Sequence, residues 1–503
     1  MTDWTRVPVV VGAGQHTNRD ENPTTAPDPL TMTEQVARMA AAAAVGEERA
    51  GQWLAELTHC FMVHSLSLRH GDPAGALAER LGAKSAEARC SGMGGSIPQW
   101  LVNRAAELVA AGGRPRVLVA GAEALATRRR AKKAGVTLSW PSSEGWPDTW
   151  PPLEPDLGVH KVERAHGLEQ ATTMYALIET AVRHGAGRDP EQHRAAMGAL
   201  MARFNEVAVR NPMSWFPTAR SAEEITAVTA DNRMIFLPYP KYVNAVMDVD
   251  MAAAVLVTDA ATARQWGLGP DEVAYVSGWA DAHETWYLSQ RPAVHHSPAL
   301  TACGAAATSM AGVTMDDVGA FDLYSCFPSS VEVACTSFGL DAGAEQRPLT
   351  LTGGLPYHGG PGSNYVTHSV ANAFDWVRSG AGEHALVHGN GYYLTKHSVG
   401  LYSSRPPDQE PQPVNDLQGR LDAEAVVLDV ERSASGPATV AAYTVPYDRD
   451  GGAQSGIVLL DVGGARAVAS ADAALTQALV DDDAVGLAVV VGPGQAGNVA
   501  GVA

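Results

Sequence analysis

Cysteine is scarce in this chain: Cys60, Cys90, Cys303, Cys326 and Cys335 are the only five in 503 residues, widely spaced and never paired as C-x-x-C. That spacing offers no disulfide framework and no zinc clip, so no metal site is expected. Long apolar runs are missing as well. Stretches such as AYVSGW and SGIVLLDV fall far short of the roughly 20 residues a spanning helix needs. The opening MTDWTRVPVVVGAG lacks a basic segment followed by a long apolar one, so no membrane span and a soluble, cytoplasmic protein are expected. Positive charge is thin too: 36 basic against 55 acidic residues leave −19, and long-range repulsion then disfavours nucleic acid and anionic lipid as partners.

One run breaks the acidic pattern. TRRRAKKAG places Arg128, Arg129, Arg130, Lys132 and Lys133 within six positions. Charge-assisted hydrogen bonds from such a run suit a phosphorylated ligand, and a solvated helix face is the alternative.

With 46% hydrophobic and 18% charged residues, the chain has material for two to four packed units. Strand-like runs (VPVVVGAG, RVLVAGAEAL, AAAVLVTDA, VAYVSGWAD, GAFDLYSC, HALVHGNG) each have a helix candidate nearby, which predicts an α/β fold. Between Arg128 and Asn244 this alternation gives way to Trp- and Pro-rich segments such as WPSSEGWPDTWPPLEPD, with helices such as EQHRAAMGALMARFNEVAVR among them, as in a large inserted loop region. After about Tyr402 the proline-rich linker SSRPPDQEPQPVND leads to strand-like EAVVLDVER, ATVAAYTVPYD and GIVLLDVGG, as in a small all-β barrel or sandwich. From Glu410 onward 13 acidic residues face 4 basic ones, which disfavours a polyanion there, and the last residues, GPGQAGNVAGVA, read as a mobile tail.

Two segments repeat one plan. GGSIPQWLVNRAAELVAAGGRPRVLVAGAEA and GGPGSNYVTHSVANAFDWVRSGAGEHALVHGNG each run glycine loop, helix, glycine turn, strand, glycine. They predict two similar α/β halves whose helix starts meet at a common centre, a natural cleft. The first of these segments follows Cys90 in RCSGMGG. A thiol at a helix N-terminus has its pKa lowered, so Cys90 is a candidate nucleophile, and a small buried hydrophobe is the other reading.

Residues 5 to 405 resemble the thiolase superfamily, and within it the thiolase-like proteins related to sterol carrier protein thiolases. The resemblance rests on AAELVAAGGRPRVLVAGAEAL, DVDMAAAVLVTDA, FDLYSCFPSSVEVA and above all TGGLPYHGGPGSN, which is similar to the family's G-G-L-x-x-x-G-H-P-x-G loop. It implies a duplicated α/β core over residues 1–127 and 245–405, interrupted by the inserted loop region 128–244; the strand-like segments past the linker add a β domain over 410–503, of OB-like barrel type. It also implies acyl-CoA chemistry, with a cysteine at the first-half helix attacking the thioester, a histidine of the G-H-P loop activating it, a second cysteine from a C-x-G loop exchanging a proton with the enolate, and an N-E-A-F or H-D-C-F motif helping to build the oxyanion hole.

Carried over residue by residue, the family's catalytic set is degenerate here. Counted back from Gly112, the nucleophile position falls on Gly95, with Cys90 five residues too early; a five-residue loop insertion would restore it. Gly360 stands at the activating histidine, with His358 nearby. Tyr324 of YSCF stands at the oxyanion-hole histidine, where a phenol still donates to a thioester oxygen. In ALVHGNGYYLTKH the second cysteine is replaced by Val387 or His388. His368, His397, Cys303 and Cys335 read as structural. On the CoA side, the resemblance points to Arg128, Arg129, Arg130 and Lys132 for the phosphates, with Trp215, Arg220, Arg233 and Lys241 as further adenine or phosphate contacts, and to the helix starts at Gly95 and Gly360.

The expected function is therefore a thiolase-like acyltransferase of lipid metabolism, acetyl-CoA acetyltransferase-like, with Tyr324, His358, His388 and Cys90 as catalytic candidates and no cofactor beyond a CoA thioester as substrate or ligand. A retro-aldol lyase on a β-hydroxyacyl-CoA and a non-catalytic acyl-CoA or lipid-binding protein are the alternatives. Monomer and homodimer both stay open, as does recruitment of a partner protein through the β domain.

Overall fold

The computed structural model describes residues 3–495 and 497–503. Nine strands form one mixed sheet: β1 Pro8–Thr17, β2 His59–Met62, β3 Glu87–Cys90, β4 Arg116–Ala124, β5 Asp250–Asp259, β6 Ala274–His283, β7 Ala320–Asp322, β8 His384–Gly391 and β9 Lys396–Ser403. Their spatial order is β3-β2-β4-β5-β1-β6-β9-β8-β7. Leaving β3 aside, the order is a palindrome: β2-β4-β5-β1 on one side answers β7-β8-β9-β6 on the other. The sense of pairing matches too, with β2 parallel to β4 as β7 is to β8, and every other pair within the two sets antiparallel. The halves join where β1 meets β6 through Val9↔Tyr275 and Val10↔Ala274.

Strand alternation assigns each face its helices. Val9 and Val11 of β1 pack with Val36, Ala37 and Ala40 of α1 (Pro29–Val45), while Val10 faces the cluster of Leu101 and Val102 from α2 (Ile97–Ala110). Asp28 starts α1 by accepting from the Leu30 and Thr31 N–H groups, with Pro29 at the first turn where no donor is needed. After β4 comes α3 (Leu125–Ala134), which carries the basic run, and then the inserted region with α4 (Ala171–Gly185) and α5 (Pro190–Arg210). The second half supplies α6 (Pro298–Ala311), α7 (Pro328–Ser337) and α8 (Tyr365–Arg378). Helices α2 and α8, the two that follow glycine loops, touch each other and strands of both halves.

Past the linker, α9 (Leu417–Glu424) precedes a barrel of β10 Gly436–Thr444, β11 Ile457–Val462, β12 Ala465–Ala471, β13 Ala488–Pro493 and β14 Asn498–Val502. Neighbours run β10-β11-β12-β14-β13 and back to β10, with β12 parallel to β14 and a helix, α10 (Ala473–Asp481), between β12 and β13. This is the connectivity of an OB barrel. Two sequence expectations change. Of EAVVLDVER only Val430–Glu431 is extended into a strand, pairing on β12. The tail is not free: within GPGQAGNVAGVA, β14 closes the barrel, and the Asn498 side chain accepts from the Ala434 N–H at 3.0 Å and donates to the Val468 carbonyl at 3.1 Å. Ala496 of that segment lies outside the described residues.

The barrel is docked on α4 through paired polar contacts. Thr180 Oγ1 donates to the Tyr443 carbonyl at 2.9 Å and accepts from the Tyr443 N–H at 3.0 Å, and Arg183 donates to the Tyr443 hydroxyl at 2.8 Å. Ala442, Ile457, Leu459 and Val468 of the barrel belong to the same buried cluster as the thiolase-like halves. Among the described residues no helix is long and apolar enough to cross a membrane.

Candidate active site at the start of helix α2

The two glycine loops meet. The Gly94 N–H donates to Ser363 Oγ at 3.0 Å, and each loop is backed by a strand glycine of the opposite half. A Cβ on Gly389 of β8 would fall 2.9 Å from Ser96 Cα, and one on Gly121 of β4 would fall 2.7 Å from Asn364 Oδ1. The Asn364 amide in turn donates to the Gly121 carbonyl at 2.6 Å. Sequence self-similarity thus translates into a reciprocal packing in which neither strand tolerates a side chain. Ser96, which caps α2, makes no side-chain cap bond; the Ile97 N–H donates to the Gly94 carbonyl at 3.1 Å, Pro98 has none and the Trp100 N–H donates to the Ser96 carbonyl at 3.0 Å, which leaves the Gln99 N–H of the first turn open to an oxygen of a ligand.

At Gly95 the space for a side chain is already taken. A Cβ there would lie 2.5 Å from the Asn390 carbonyl oxygen and closer still to the Tyr324 hydroxyl. The phenol therefore stands where a nucleophile on Gly95 would project. Tyr324 reaches this point from the turn between β7 and α7. Ser330 Oγ donates to its carbonyl at 2.7 Å, and its ring meets Tyr365 edge to face at 5.8 Å. Its hydroxyl forms no hydrogen bond with another described residue, and the residue is 8% exposed. Burial, helped by Cys326, raises the phenol well above its usual pKa, so it stays protonated and acts as a donor rather than a base. Cys326, beside it, has its thiol pushed up to about 12 by burial.

The remaining catalytic candidates lie elsewhere. Cys90 ends strand β3 rather than starting α2; burial and the nearby Asp72 push its thiol up to about 12, the reverse of the shift a helix N-terminus would give. His358 is fully buried behind Tyr365, 5.9 Å between ring centroids, with its Nδ1 3.3 Å from Ser214 Oγ. A Cβ on Gly360 would meet Leu355 Cδ2 at 3.1 Å, so leucine fills the space a histidine would need. His388 heads a different chain of contacts: its Nε2 lies 3.2 Å from His397 Nδ1, His397 Nε2 lies 3.1 Å from Ser297 Oγ, and that hydroxyl donates to Glu284 Oε1 at 2.5 Å.

Burial holds these histidines and His368 below the ordinary imidazole pKa: His368 and His388 to about 3, His358 and His397 well below 6.5. Their folded forms are neutral, so the unfolded chain takes up protons first as pH falls below about 6.5, and the stability they contribute above that pH is lost on acidification. A test isolates one site. Between pH 7.5 and 5, wild type is expected to lose about 2 kcal/mol relative to His368→Gln in urea unfolding, near 1.4 kcal/mol per pH unit once below 6.5. A pH-independent difference would mean His368 protonates in place.

Of the basic run, Arg130 is a strut, donating to the Asp20 carbonyl at 2.9 Å and lying 3.4 Å from buried Asp250. Arg129 pairs with Asp248 at 3.1 Å and Arg128 donates to the Leu66 carbonyl at 3.0 Å; Lys132 and Lys133 are exposed. Gly95 lines the candidate site through its backbone, whereas Gly360 packs against Leu355. Trp215 is stacked by Arg19 at 5.5 Å, Arg220 lies over Tyr242 at 4.0 Å, Arg233 donates to the Met234 carbonyl at 3.1 Å and Lys241 to the Asp231 carbonyl at 3.2 Å.

Two groups at the site were not anticipated. Asn390 presents its carbonyl to Gly95 while its amide donates to Tyr175 Oη at 2.7 Å and Ser330 Oγ at 3.2 Å. Its flanking glycines in HGNG were the available signal, since glycine within a strand marks a close approach. Tyr175, on α4, stacks on Phe327 at 4.8 Å and had no sequence signal.

A crystal structure of a monomeric SCP2-thiolase-like protein type 1 from Mycobacterium smegmatis is 32% identical, covers 100% of both chains and superposes with a TM-score of 0.84. The chain belongs to the SCP2-thiolase-like protein type 1 family. A family model for the additional C-terminal domain of thiolase-like protein type 1 matches residues 416–495, the linker helix and most of the barrel. More distant likeness shows the fold alone. The Ltp2-ChsH2(DUF35) aldolase is 17% identical with a TM-score of 0.60, covering 80% of this chain and 98% of that one. Human mitochondrial 3-ketoacyl-CoA thiolase in complex with CoA is 15% identical with a TM-score of 0.53, covering 80% and 99%. No curated protein matches this family member.

Proposed function

We propose that the chain binds acyl-CoA thioesters without forming an acyl-enzyme. The observation that carries this reading is the Tyr324 hydroxyl lying over Gly95, where a thiolase nucleophile would stand. A thioester oxygen at the start of α2 would accept from the open Gln99 N–H there and from the Tyr324 O–H, a pair of donors suited to a carbonyl or an enolate. Arg128, Arg129 and Lys132 on α3 are the proposed phosphate contacts.

Among the catalytic outcomes, acyl transfer of the thiolase kind has the least support, because the Cys326 thiol beside Tyr324 is pushed up to about 12 by burial and Gly360 stands where the activating histidine would. Retro-aldol cleavage of a β-hydroxyacyl-CoA needs the enolate donors present here plus a base, and the fold is shared with an aldolase. A protonated phenol supplies the first requirement and not the second, which favours binding over lysis. The monomeric state of the Mycobacterium smegmatis relative supports a monomer here.

Calorimetry with acetyl-CoA and with free CoA tests the donor role. Tyr324→Phe is expected to weaken acetyl-CoA about 3- to 10-fold, the worth of one neutral hydrogen bond, and to leave CoA unchanged. Equal affinities for wild type and variant would remove Tyr324 from the thioester. An acetyl adduct on the intact protein by mass spectrometry would overturn the non-covalent reading, and ketone or aldehyde release lost in Tyr324→Phe would establish the lyase.

A further inference from the structure

A cavity of about 610 Å³ lies away from the Gly95 site, between the end of β6, the start of α6 and the segment running from α9 to Val427. Its size is that of a small-molecule site. Trp286, Ala299, Leu421 and Val427 give it apolar walls, and three carboxylates, Glu284, Asp422 and Glu424, line it.

Glu284 is more than nine-tenths buried. Its Oε1 is saturated from within, accepting from Ser297 Oγ at 2.5 Å and from the Ala299 N–H at the first turn of α6 at 2.9 Å. The histidine chain fixes the direction of these bonds. Neutral His397 is left to donate from Nε2 to Ser297, because the serine proton is directed to Glu284, and the carboxylate is the terminal acceptor. Oε2 has no hydrogen-bond partner among the described residues. That atom is not sealed off from the cavity, so it is the free acceptor that an occupant would meet there.

Arg291 also lines the cavity and does not fill that role. Its guanidinium donates to the carbonyls of Thr285 at 2.9 Å, Tyr393 at 2.9 Å and Leu394 at 3.1 Å and to Thr395 Oγ1 at 2.9 Å, with no bond to Glu284. Asp422 accepts from Gln418 at 2.7 Å, and neither it nor Glu424 forms an ion pair with a described residue. Three acids against one internally committed guanidinium, with His283 and His296 as the other titratable side chains of the lining, leave the cavity net negative when the imidazoles are neutral.

We propose that this cavity is a binding site for a small organic ammonium ion with an apolar body, its N–H group on Glu284 Oε2 and its hydrocarbon against Trp286, Leu421 and Val427. The site is independent of the thioester reading. Asp422 and Glu424 attract the cation toward the opening, and the indole adds a polarisable wall.

Calorimetry on the full chain, with phenethylammonium chloride, the isosteric neutral 2-phenylethanol and the anion 3-phenylpropionate at millimolar concentration, tests the proposal. The cation is expected to bind at least about tenfold more tightly than the alcohol, as for a charge-assisted hydrogen bond in a partly dry site, and the anion not measurably. Val427→Trp, at an exposed position whose new ring would enter the cavity, should abolish binding of the cation while leaving acetyl-CoA binding intact. Glu284→Gln should erase the preference for cation over alcohol; should that variant fail to fold, Asp422→Asn with Glu424→Gln on the exposed linker helix should reduce it severalfold. Equal binding of cation and alcohol, preference for the anion, no binding of the cation, or binding untouched by Val427→Trp would each overturn the assignment.

Discussion

Replacing Arg188 by alanine is expected to destabilise the protein by about 3 to 5 kcal/mol, the cost of leaving a buried carboxylate without its partner. Arg188 Nη1 donates to Glu332 Oε2 at 2.8 Å and lies 3.3 Å from His193 Nδ1. On its far side His193 Nε2 sits 2.5 Å from Glu179 Oε1, and the other Glu179 oxygen accepts from the Tyr239 hydroxyl. Glu179 is fully buried, and Glu332 is 7% exposed. Burial and then Glu179 push the Glu332 pKa up, while His193 and Arg188 pull it down. Glu179, His193 and Glu332 bring ligand atoms within 4.8 Å of one another, but the guanidinium between His193 and Glu332 already supplies the positive charge. A double-mutant cycle in urea checks this. Arg188→Ala with Glu332→Gln should be more stable than Arg188→Ala alone, since the orphaned charge is gone; additive losses would show that the pair is not coupled.

Gly95→Ala is expected to cost about 3 kcal/mol, at the upper end for inserting one methyl into a packed interior, because backbone as well as side chain stands in its way. The Asn390 carbonyl oxygen lies 2.5 Å from the new Cβ and is part of β8, so it yields only if the strand moves. The Tyr324 ring is the movable partner. In a Tyr324→Ala background the cost of Gly95→Ala should fall by at least about 1 kcal/mol, and this coupling, read from thermal or urea unfolding of the four proteins, reports the contact directly. Zero coupling would place the phenol away from Gly95. The same geometry predicts that Gly95→Cys, which restores the residue type of the thiolase nucleophile, displaces Tyr324 and forms no acyl-enzyme with acetyl-CoA.

The glycines were the most legible part of the chain. Gly95, Gly121, Gly360 and Gly389 recur in order because two half-domains pack each strand against the other's helix start, and steric exclusion is a one-residue property that sequence records faithfully. The substitution of tyrosine in YSCF and of glycine in GGPG was readable for the same reason. Side-chain direction was not. His358 sits close to a loop position, and His388 at a strand position, that the family's motifs align with catalytic ones, yet the Tyr365 ring stands before the first and the second points toward His397. Cys90 failed as a helix-start thiol because residues 91–96 intervene between the strand that buries it and the helix. The Glu179, His193 and Glu332 cluster and the Glu284 cavity draw on residues far apart in the chain, and no local pattern marks such meetings.

Strand β1 lies at the middle of the nine-stranded sheet, yet it is made first. Its partner β5 begins at Asp250 and its other neighbour β6 at Ala274. On a ribosome adding about 5 to 20 residues per second, the apolar VPVVVG segment would wait roughly 10 to 50 seconds before either neighbour exists. An unpaired strand of that composition invites wrong pairing, and contacts spanning so much sequence make folding slow. Newly made chains are therefore expected to depend on chaperone cover during synthesis far more than the packing of the finished core would suggest.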